Sequence, residues 1–278
     1  MNTPGYHGNK IVTRTGTVFY AMASPTGENE EHEDTQELFY DVVWKDEVEY
    51  IVMLNRVNDG LYNDNGDLRM IIPRYFPAAE RGGLGKTITI GKYTLTEIES
   101  TNQNNEDIHD ITRSFTKRVF EIKRTTGKLF SKRTEIRRVI HYSCLHWEDN
   151  GIPTLGFQSI YEVMTVVTQS KKPIVVHCDT GTNRTMSFIG MEYISRMIEV
   201  NIDLTYQYGF TKLAEHRLRS FDSIRSSYTL QMGVVYFMLA RIEPHGLQGL
   251  RFHQQMYEAV ALRGEGVPAD RDRGGIKF

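Results

Sequence analysis

A short apolar strand, a tight turn and a long helix follow directly on one another between residues 174 and 200. The stretch "IVVHC" (174–178) comes after a proline and predicts a buried strand. The residues "DTGTN" have turn chemistry, and "RTMSFIGMEYISRMIEV" (184–200) predicts a helix that is buried over much of its surface. A buried strand that passes straight into a helix is typical of α/β and α+β proteins.

The rest of the chain places most strands in the first half and most helices in the second. Apolar residues at helical spacing mark residues 39–44, 155–170 and 228–243. Apolar runs and alternation predict strands at 49–54, 68–76, 86–99, 113–124 and 132–147. We therefore expect an α/β fold in which a twisted mixed sheet is flanked by helices. This single domain is expected over residues 1–261, followed by a flexible tail at 262–278 that is rich in glycine, proline and charge.

Composition excludes several classes of function. The chain has 278 residues and a formal net charge of -2, so no global positive charge favours nucleic acid or a membrane surface. Two cysteines do not make a disulfide framework, which favours a reducing compartment. The start of the chain lacks a signal-peptide core, and no run approaches the ~18 apolar residues of a membrane span. We expect a cytoplasmic protein with no membrane segment and no nucleic-acid partner. The basic stretch at 116–138 is interpreted as the solvated face of a hairpin rather than a binding patch.

The turn at 178–184 has the chemistry of an anion site. Backbone amides at a helix N-terminus point at one place and carry the positive end of the helix dipole. Gly181 lets the backbone close up, Asn183 tolerates a left-handed conformation, and Arg184 offers a planar fork to two oxygens of a phosphate. The same dipoles stabilise a thiolate at Cys178. The alternative is that Cys178 is an ordinary buried thiol at the end of a strand.

These residues also resemble a known motif. His177, Cys178, Gly181, Arg184 and Thr185 stand in the register His-Cys-x2-Gly-x2-Arg-Ser/Thr, which is similar to the signature loop of cysteine-based protein tyrosine phosphatases. The stretch "HWEDNGIP" (146–153) resembles the mobile acid loop of that family, with Glu148 in place of its proline. Further stretches are similar to family segments and occur in the same order: "FYAMASP", "LFYDVVW", "IVML" and "RYFP". The resemblance covers roughly residues 6–240 and implies a signature loop between a central strand and a helix.

The resemblance implies a hydrolase that removes phosphate from tyrosine side chains of signalling proteins. Cys178 would attack phosphorus and form a cysteinyl-phosphate, and Asp149 would protonate the leaving phenol and then activate water. Thr185 would hydrogen-bond the departing thiolate, and His177 would orient the loop. The substrate would be held by Arg184 and by residues Asp179, Thr180, Gly181, Thr182 and Asn183, with Gln231 positioning the water. No metal or cofactor is expected, because Arg184 and the dipoles stabilise the charge.

Several departures from the family pattern qualify these expectations. "YHGNKI" (6–11) sits where the family has "YINASYI", so the preceding segment, whose tyrosine stacks on the substrate ring, is expected to be missing. Either the chain is truncated there, or the domain lacks that wall of the pocket. Asp179 follows the nucleophile, and we expect its carboxylate to face solvent, since facing inward it would oppose a thiolate and a phosphate. Asn183 and Met186 replace glycines. The family carboxylate that pairs with the loop arginine has no clear equivalent, and Asp64 and Asp67 are weak candidates.

The glutamine of the family is shifted. Counting from Arg225, which is matched to a family arginine, its place falls at Leu230, one residue before Gln231. A shift of one residue turns a helical side chain by ~100°. Either a local bulge brings Gln231 into place, or hydrolysis of the phosphoenzyme is slow.

Two functions from different classes therefore remain open at the level of sequence. The first is an active phosphatase, because nucleophile, arginine, hydroxyl and acid are all present. The second is a catalytically weak or inactive domain that binds phosphorylated partners. A phosphatase for RNA ends or phosphoinositides is a third interpretation, which the near-neutral charge disfavours.

Overall fold

The structure is a computed structural model. It describes residues 6–27, 33–56, 60–62, 68–71, 73–77, 86–101, 115–127, 132–144, 146–149, 151–242 and 253. The predicted tail at 262–278 and the candidates Asp64 and Asp67 lie outside these residues, so the domain boundary stays a prediction.

Ten strands and five helices form the described part of the chain. The strands are β1 (Gly8–Val12), β2 (Val18–Ala23), β3 (Tyr50–Met53), β4 (Gly60–Tyr62), β5 (Leu68–Ile71), β6 (Thr87–Ile90), β7 (Tyr93–Ser100), β8 (Phe115–Thr126), β9 (Arg133–Cys144) and β10 (Ile174–Cys178). The helices are α1 (Gln36–Lys45), α2 (Gln158–Val167), α3 (Asn183–Val200), α4 (Tyr206–Ala214) and α5 (Ile224–Ile242).

Eight of these strands form one mixed sheet in the order β1-β2-β10-β3-β9-β8-β7-β6, and β4 pairs with β5 separately. The four strands β2, β10, β3 and β9 run parallel to one another. The remaining neighbours, at both edges, are antiparallel. Strand β10 lies inside the parallel group and every one of its residues is buried, as expected for a strand covered on both faces.

The two faces of the sheet carry separate cores. On one face, buried residues of α2, α3 and α5 pack with Val176 and Cys178 of β10. On the other face, α1 packs with Val175 and with aromatic residues that include Tyr75 and Phe76. Side chains of a strand alternate between faces, so neighbouring residues of β10 belong to different cores. Cys178 and His177 therefore point to opposite sides of the sheet.

The predicted fold class, a mixed sheet flanked by helices, is confirmed. Helices α1, α2, α3 and α5 and strands β3 and β6 to β10 lie within or overlap the segments that the apolar patterns marked. The prediction of one strand across 68–76 is only partly right, because β5 ends at Ile71 and residues 73–77 are irregular. The hairpin β1–β2 and helix α4 were not predicted. No helix of the described residues is long and apolar enough to cross a membrane.

Candidate active site

The residues singled out in the sequence meet at one edge of the sheet. Parallel strands end at the same edge, and the crevice beyond their carboxyl ends is where α/β sheets bind ligands. Cys178 ends β10, and the segment with Trp147 and Asp149 follows β9. Ser24 and Asn55 follow β2 and β3, and both are buried there. The topology thus brings the predicted nucleophile and the predicted acid together although 29 residue positions separate them.

Cys178 is buried at the point where β10 passes into a tight turn. Gly181 has a φ of +72°, and an added Cβ there would lie 2.2 Å from the carbonyl oxygen of Met22. Position 181 therefore requires glycine for two reasons, its backbone conformation and its close approach to β2. Asn183 is the first residue of α3, and its Oδ1 accepts a hydrogen bond from the Asp222 amide at 3.3 Å. Gly181 rather than Asn183 thus supplies the left-handed conformation in this turn.

The guanidinium of Arg184 connects the turn to the predicted acid loop. Its side chain is only 2% exposed. Nη1 donates to the carbonyl oxygen of Trp147 at 3.0 Å, and Nε lies 3.6 Å from Oδ1 of Asp149. Nη2 donates to Oδ2 of Asp179. The acid loop is further braced by the Trp147 indole, which donates to the carbonyl of Gly151 at 3.2 Å.

The expectation that Asp179 faces solvent is wrong. Its side chain is 10% exposed and forms an ion pair with Arg184, five residues along the chain. A buried arginine requires a compensating partner, and a carboxylate in the same turn supplies one at short range. Asp149 has the opposite character, because its side chain is 55% exposed and can exchange with water.

His177 belongs to a buried chain of polar groups on the α1 side of the sheet. The Tyr75 hydroxyl is joined to Nε2 of His177 at 2.5 Å and to Nε2 of His141 at 2.9 Å. Nδ1 of His141 lies 3.2 Å from Oγ of Ser143, which accepts from Arg118 at 3.1 Å. When every polar hydrogen of these groups takes part in a hydrogen bond, the donors follow one direction. Ser143 donates to His141, His141 donates to Tyr75, and Tyr75 donates to His177. This order leaves the proton of His177 on Nδ1.

Burial keeps both histidines neutral. It lowers the pKa of His177 from 6.5 to about 3, and the nearby Arg184 acts in the same direction. Burial also lowers the pKa of His141 well below its usual value, helped by Arg118 and His177. A neutral His177 beside Cys178 can form hydrogen bonds in fixed positions but carries no positive charge.

Arg217 contacts the turn, although no sequence pattern indicated it as a site residue. This buried side chain donates from Nη2 to the carbonyl oxygen of Thr180 at 2.7 Å, and from Nη1 to Asn9 at 2.7 Å and to the carbonyl of Ala21 at 3.2 Å. Its Nη2 also lies 3.0 Å from Nδ1 of His7. Burial lowers the pKa of Arg217, and the nearby Cys178 opposes that shift. Arg217 therefore anchors the turn to the hairpin β1–β2 and adds positive charge near Cys178.

Three further polar groups are buried around the turn. The Ser24 and Thr185 hydroxyls and Oδ1 of Asn55 have no hydrogen-bond partner among the described residues. Buried polar atoms are normally satisfied, so an excess of unsatisfied ones points to a place where a polar ligand or water binds. Thr185 is fully buried near the start of α3.

Other predicted residues lie elsewhere. Helix α5 runs unbroken from Ile224 to Ile242, so the alternative of a bulge at Gln231 is not supported. Gln231 is exposed, and within the described residues no hydrogen bond joins it to the turn. Arg225 is exposed as well, whereas Arg217 donates a hydrogen bond to the turn. Cys144 is buried two strands from Cys178, about 9.5 Å away, which exceeds the reach of a disulfide.

Comparison with known proteins identifies the family. The family model of protein-tyrosine phosphatase matches residues 6–236. This chain belongs to the protein-tyrosine phosphatase family. The match includes the nucleophile, the turn and the acid loop described above.

Individual relatives of this phosphatase family are distant. Receptor-type tyrosine-protein phosphatase V of Rattus norvegicus is 26% identical over 202 residues, which cover 70% of this chain and 9% of that protein. Tyrosine-protein phosphatase non-receptor type 9 of Homo sapiens is 25% identical over 184 residues, which cover 60% of this chain and 26% of that protein. The chain thus spans only a minor part of the length of these relatives.

Solved structures share the fold. The catalytic domain of human protein tyrosine phosphatase non-receptor type 18 has a TM-score of 0.59 at 18% identity, covering 84% of this chain and 74% of that chain. The Trypanosoma brucei protein tyrosine phosphatase TbPTP1 has a TM-score of 0.62 at 20% identity, covering 85% and 74%. At these identities the likeness concerns the fold alone.

The close approach of Gly181 to β2 can be tested by adding one methyl group. We expect Gly181→Ala to lower the free energy of unfolding by about 1–3 kcal/mol or more, because it combines backbone strain with a clash against Met22. Gly16→Ala is the matched control, since Gly16 also has a positive φ, of +86°, but its added Cβ would meet nothing within 4 Å. Urea unfolding of both variants measures the difference. Equal losses would show that the approach to β2 is not a constraint.

The buried histidines predict loss of stability in acid. The folded protein keeps His177 neutral down to about pH 3, whereas the unfolded chain binds a proton there below about pH 6.5. The free energy of unfolding should therefore fall as the pH is lowered from about 6.5 towards 3. Each such histidine contributes up to about 1.4 kcal/mol per pH unit. Urea unfolding at several pH values measures this slope. His141→Gln should make the slope shallower, and an unchanged slope would contradict the assignment.

Proposed function

We propose that this chain hydrolyses phosphotyrosine on proteins through a cysteinyl-phosphate intermediate. The observation that carries the proposal is the position of Arg184, which contacts both the turn of the nucleophile and the acid loop. Cys178 and Asp149 are thereby held at the same edge of the sheet, beside segments that the same cation contacts. That arrangement suits a reaction in which one group attacks phosphorus and the other protonates the oxygen that leaves.

In the first step, the Cys178 thiolate forms a bond to phosphorus as the bond from phosphorus to the phenolic oxygen breaks. A phenol has a pKa of ~10 and leaves poorly as an anion, so Asp149 donates a proton to that oxygen. Arg184 and the amides of residues 179–183 stabilise the charge on the equatorial oxygens. His177, fixed by Tyr75, supports the backbone of the turn from behind.

In the second step, water attacks phosphorus and the bond to sulfur breaks. Asp149, now a carboxylate, accepts the proton of that water. The buried Thr185 hydroxyl donates a hydrogen bond to the departing thiolate, a role for which its unsatisfied state leaves it available. The exposed position of Gln231 argues for a second step with weak assistance to the water, and hence for slow hydrolysis of the intermediate.

Relatives support a phosphotyrosine protein as the partner. Solved structures with this fold include PTPN18 in complex with HER2 phospho-peptides. We extend that class of partner to this chain, and we propose a cytoplasmic location from the near-neutral charge and the two unpaired cysteines.

A binding module without useful turnover is the second candidate, and one observation favours it. The Asp179 carboxylate holds Arg184 from within the turn, where it opposes an incoming phosphate. A domain whose arginine is paired in this way would bind phosphorylated partners weakly and release them without reaction. A turnover assay distinguishes this binding module from the active phosphatase.

The proposed function predicts a specific ranking of variants. We expect the wild type to hydrolyse para-nitrophenyl phosphate and a phosphotyrosine peptide, Cys178→Ser to abolish both activities, and Asp149→Ala to reduce kcat on the peptide about 10²–10⁴-fold. Asp203→Ala, an exposed carboxylate before α4, is the matched control and should retain full activity. A wild type as silent as Cys178→Ser that still binds the peptide would establish the binding module instead.

A further inference from the structure

The phosphate-binding side of Arg184 already faces two carboxylates. Its Nη2 donates to Asp179 and its Nε lies 3.6 Å from Asp149, while Nη1 is taken by the carbonyl of Trp147. Nη1 and Nη2 are therefore hydrogen-bonded within the protein, and Nε lies within ion-pairing distance of a carboxylate. An oxyanion that approaches Nη2 competes with Asp179 for the same positive charge.

The two carboxylates differ in how easily they can leave. Asp149 is on a loop, more than half exposed, and its contact with Arg184 is longer than a hydrogen bond. Asp179 is nearly buried and directly hydrogen-bonded. Its backbone is fixed as well, because its carbonyl accepts from the Ser24 amide at 3.0 Å. Asp179 can therefore move aside only by rotating its side chain, and it stays close to any bound phosphate.

We propose that Asp179 is an internal competitor of the phosphate for Arg184 and thereby sets the oxyanion affinity of the site. This inference deepens the proposed function, on which it rests for the identity of the site. Like charges repel strongly in a partly buried site, so the carboxylate weakens the binding of both the substrate phosphate and the inorganic phosphate product. Substrates must then gain affinity from contacts outside the phosphate group, and free phosphate inhibits poorly.

A positioning role is the alternative for the same residue. In that role Asp179 would hold the guanidinium in its productive orientation, as a carboxylate partner commonly does for a buried arginine. The two roles predict opposite changes in oxyanion affinity when the carboxylate is removed. Removing a competitor tightens oxyanion binding, whereas removing a positioning group weakens it and lowers kcat.

Calorimetric titration of inorganic phosphate into Cys178→Ser and Cys178→Ser/Asp179→Asn separates the two roles without turnover. Asparagine keeps the shape and a hydrogen-bond acceptor but removes the charge. We expect the double variant to bind phosphate about tenfold tighter or more, and the Kd of Cys178→Ser/Asp203→Asn to be unchanged. Equal or weaker binding in the double variant, or no measurable binding in either protein, would overturn the proposal. Asp179→Ser serves as a second variant, and a thermal melt of each confirms folding.

Steady-state kinetics on proteins that retain Cys178 keep this inference distinct from the proposed function. Asp179→Asn should lower both the KM for para-nitrophenyl phosphate and the inhibition constant of phosphate by a similar factor. If neither wild type nor Asp179→Asn turns over substrate but phosphate binding tightens, the phosphatase function fails and the inference stands. If the wild type turns over substrate and Asp179→Asn loses kcat without tighter phosphate inhibition, the inference fails and the function stands.

Discussion

A buried arginine that cannot lose its charge determines the arrangement of the site. A guanidinium stays protonated in any protein environment, so Arg184, at 2% exposure, must be surrounded by acceptors. It finds them in the carbonyl of Trp147 and in the carboxylates of Asp149 and Asp179. The first two hold the segment of Trp147 and Asp149 against the turn, and the third places a negative charge inside it. Under the proposed function, one cation thus couples the position of the acid to the affinity for phosphate.

The sheet supplies the rigid support that this cation needs. Four parallel strands end at one edge, and the turn after β10 is attached there by two long-range contacts. Gly181 lies directly against the backbone of β2, and Arg217 binds the carbonyl of Thr180 while also holding the hairpin β1–β2. Beside Cys178, the hydrogen bond from Tyr75 to His177 connects β10 to the core on the other face. The backbone of the turn is therefore held in place by the rest of the fold, which is the condition that the proposed electrostatic stabilisation of phosphate requires.

Local sequence features predicted the parts of the site that local interactions form. The apolar run of β10, the glycine in the turn and the long helix α3 are each visible within a few residues. Arg217 was not predictable in this way, because it contacts the turn from 37 residues away and its own segment carries no pattern. The orientation of Asp179 was mispredicted because repulsion from a thiolate and a phosphate favours an outward carboxylate, whereas the ion pair with the buried Arg184 holds it inward. Helix α4 escaped detection because "YQYGFTKLA" has a glycine and only two buried positions.

The two carboxylates beside Arg184 differ in exposure, and this difference separates their proposed roles. Asp149 is more than half exposed and lies 3.6 Å from Nε, so water surrounds much of its charge. Asp179 is 10% exposed and is hydrogen-bonded to Nη2 within the turn. Repulsion between like charges grows as water is excluded, so an anion placed at Arg184 is opposed more strongly by Asp179 than by Asp149. Under the proposed function, the buried carboxylate therefore governs phosphate affinity, while the exposed one can change its position during the reaction.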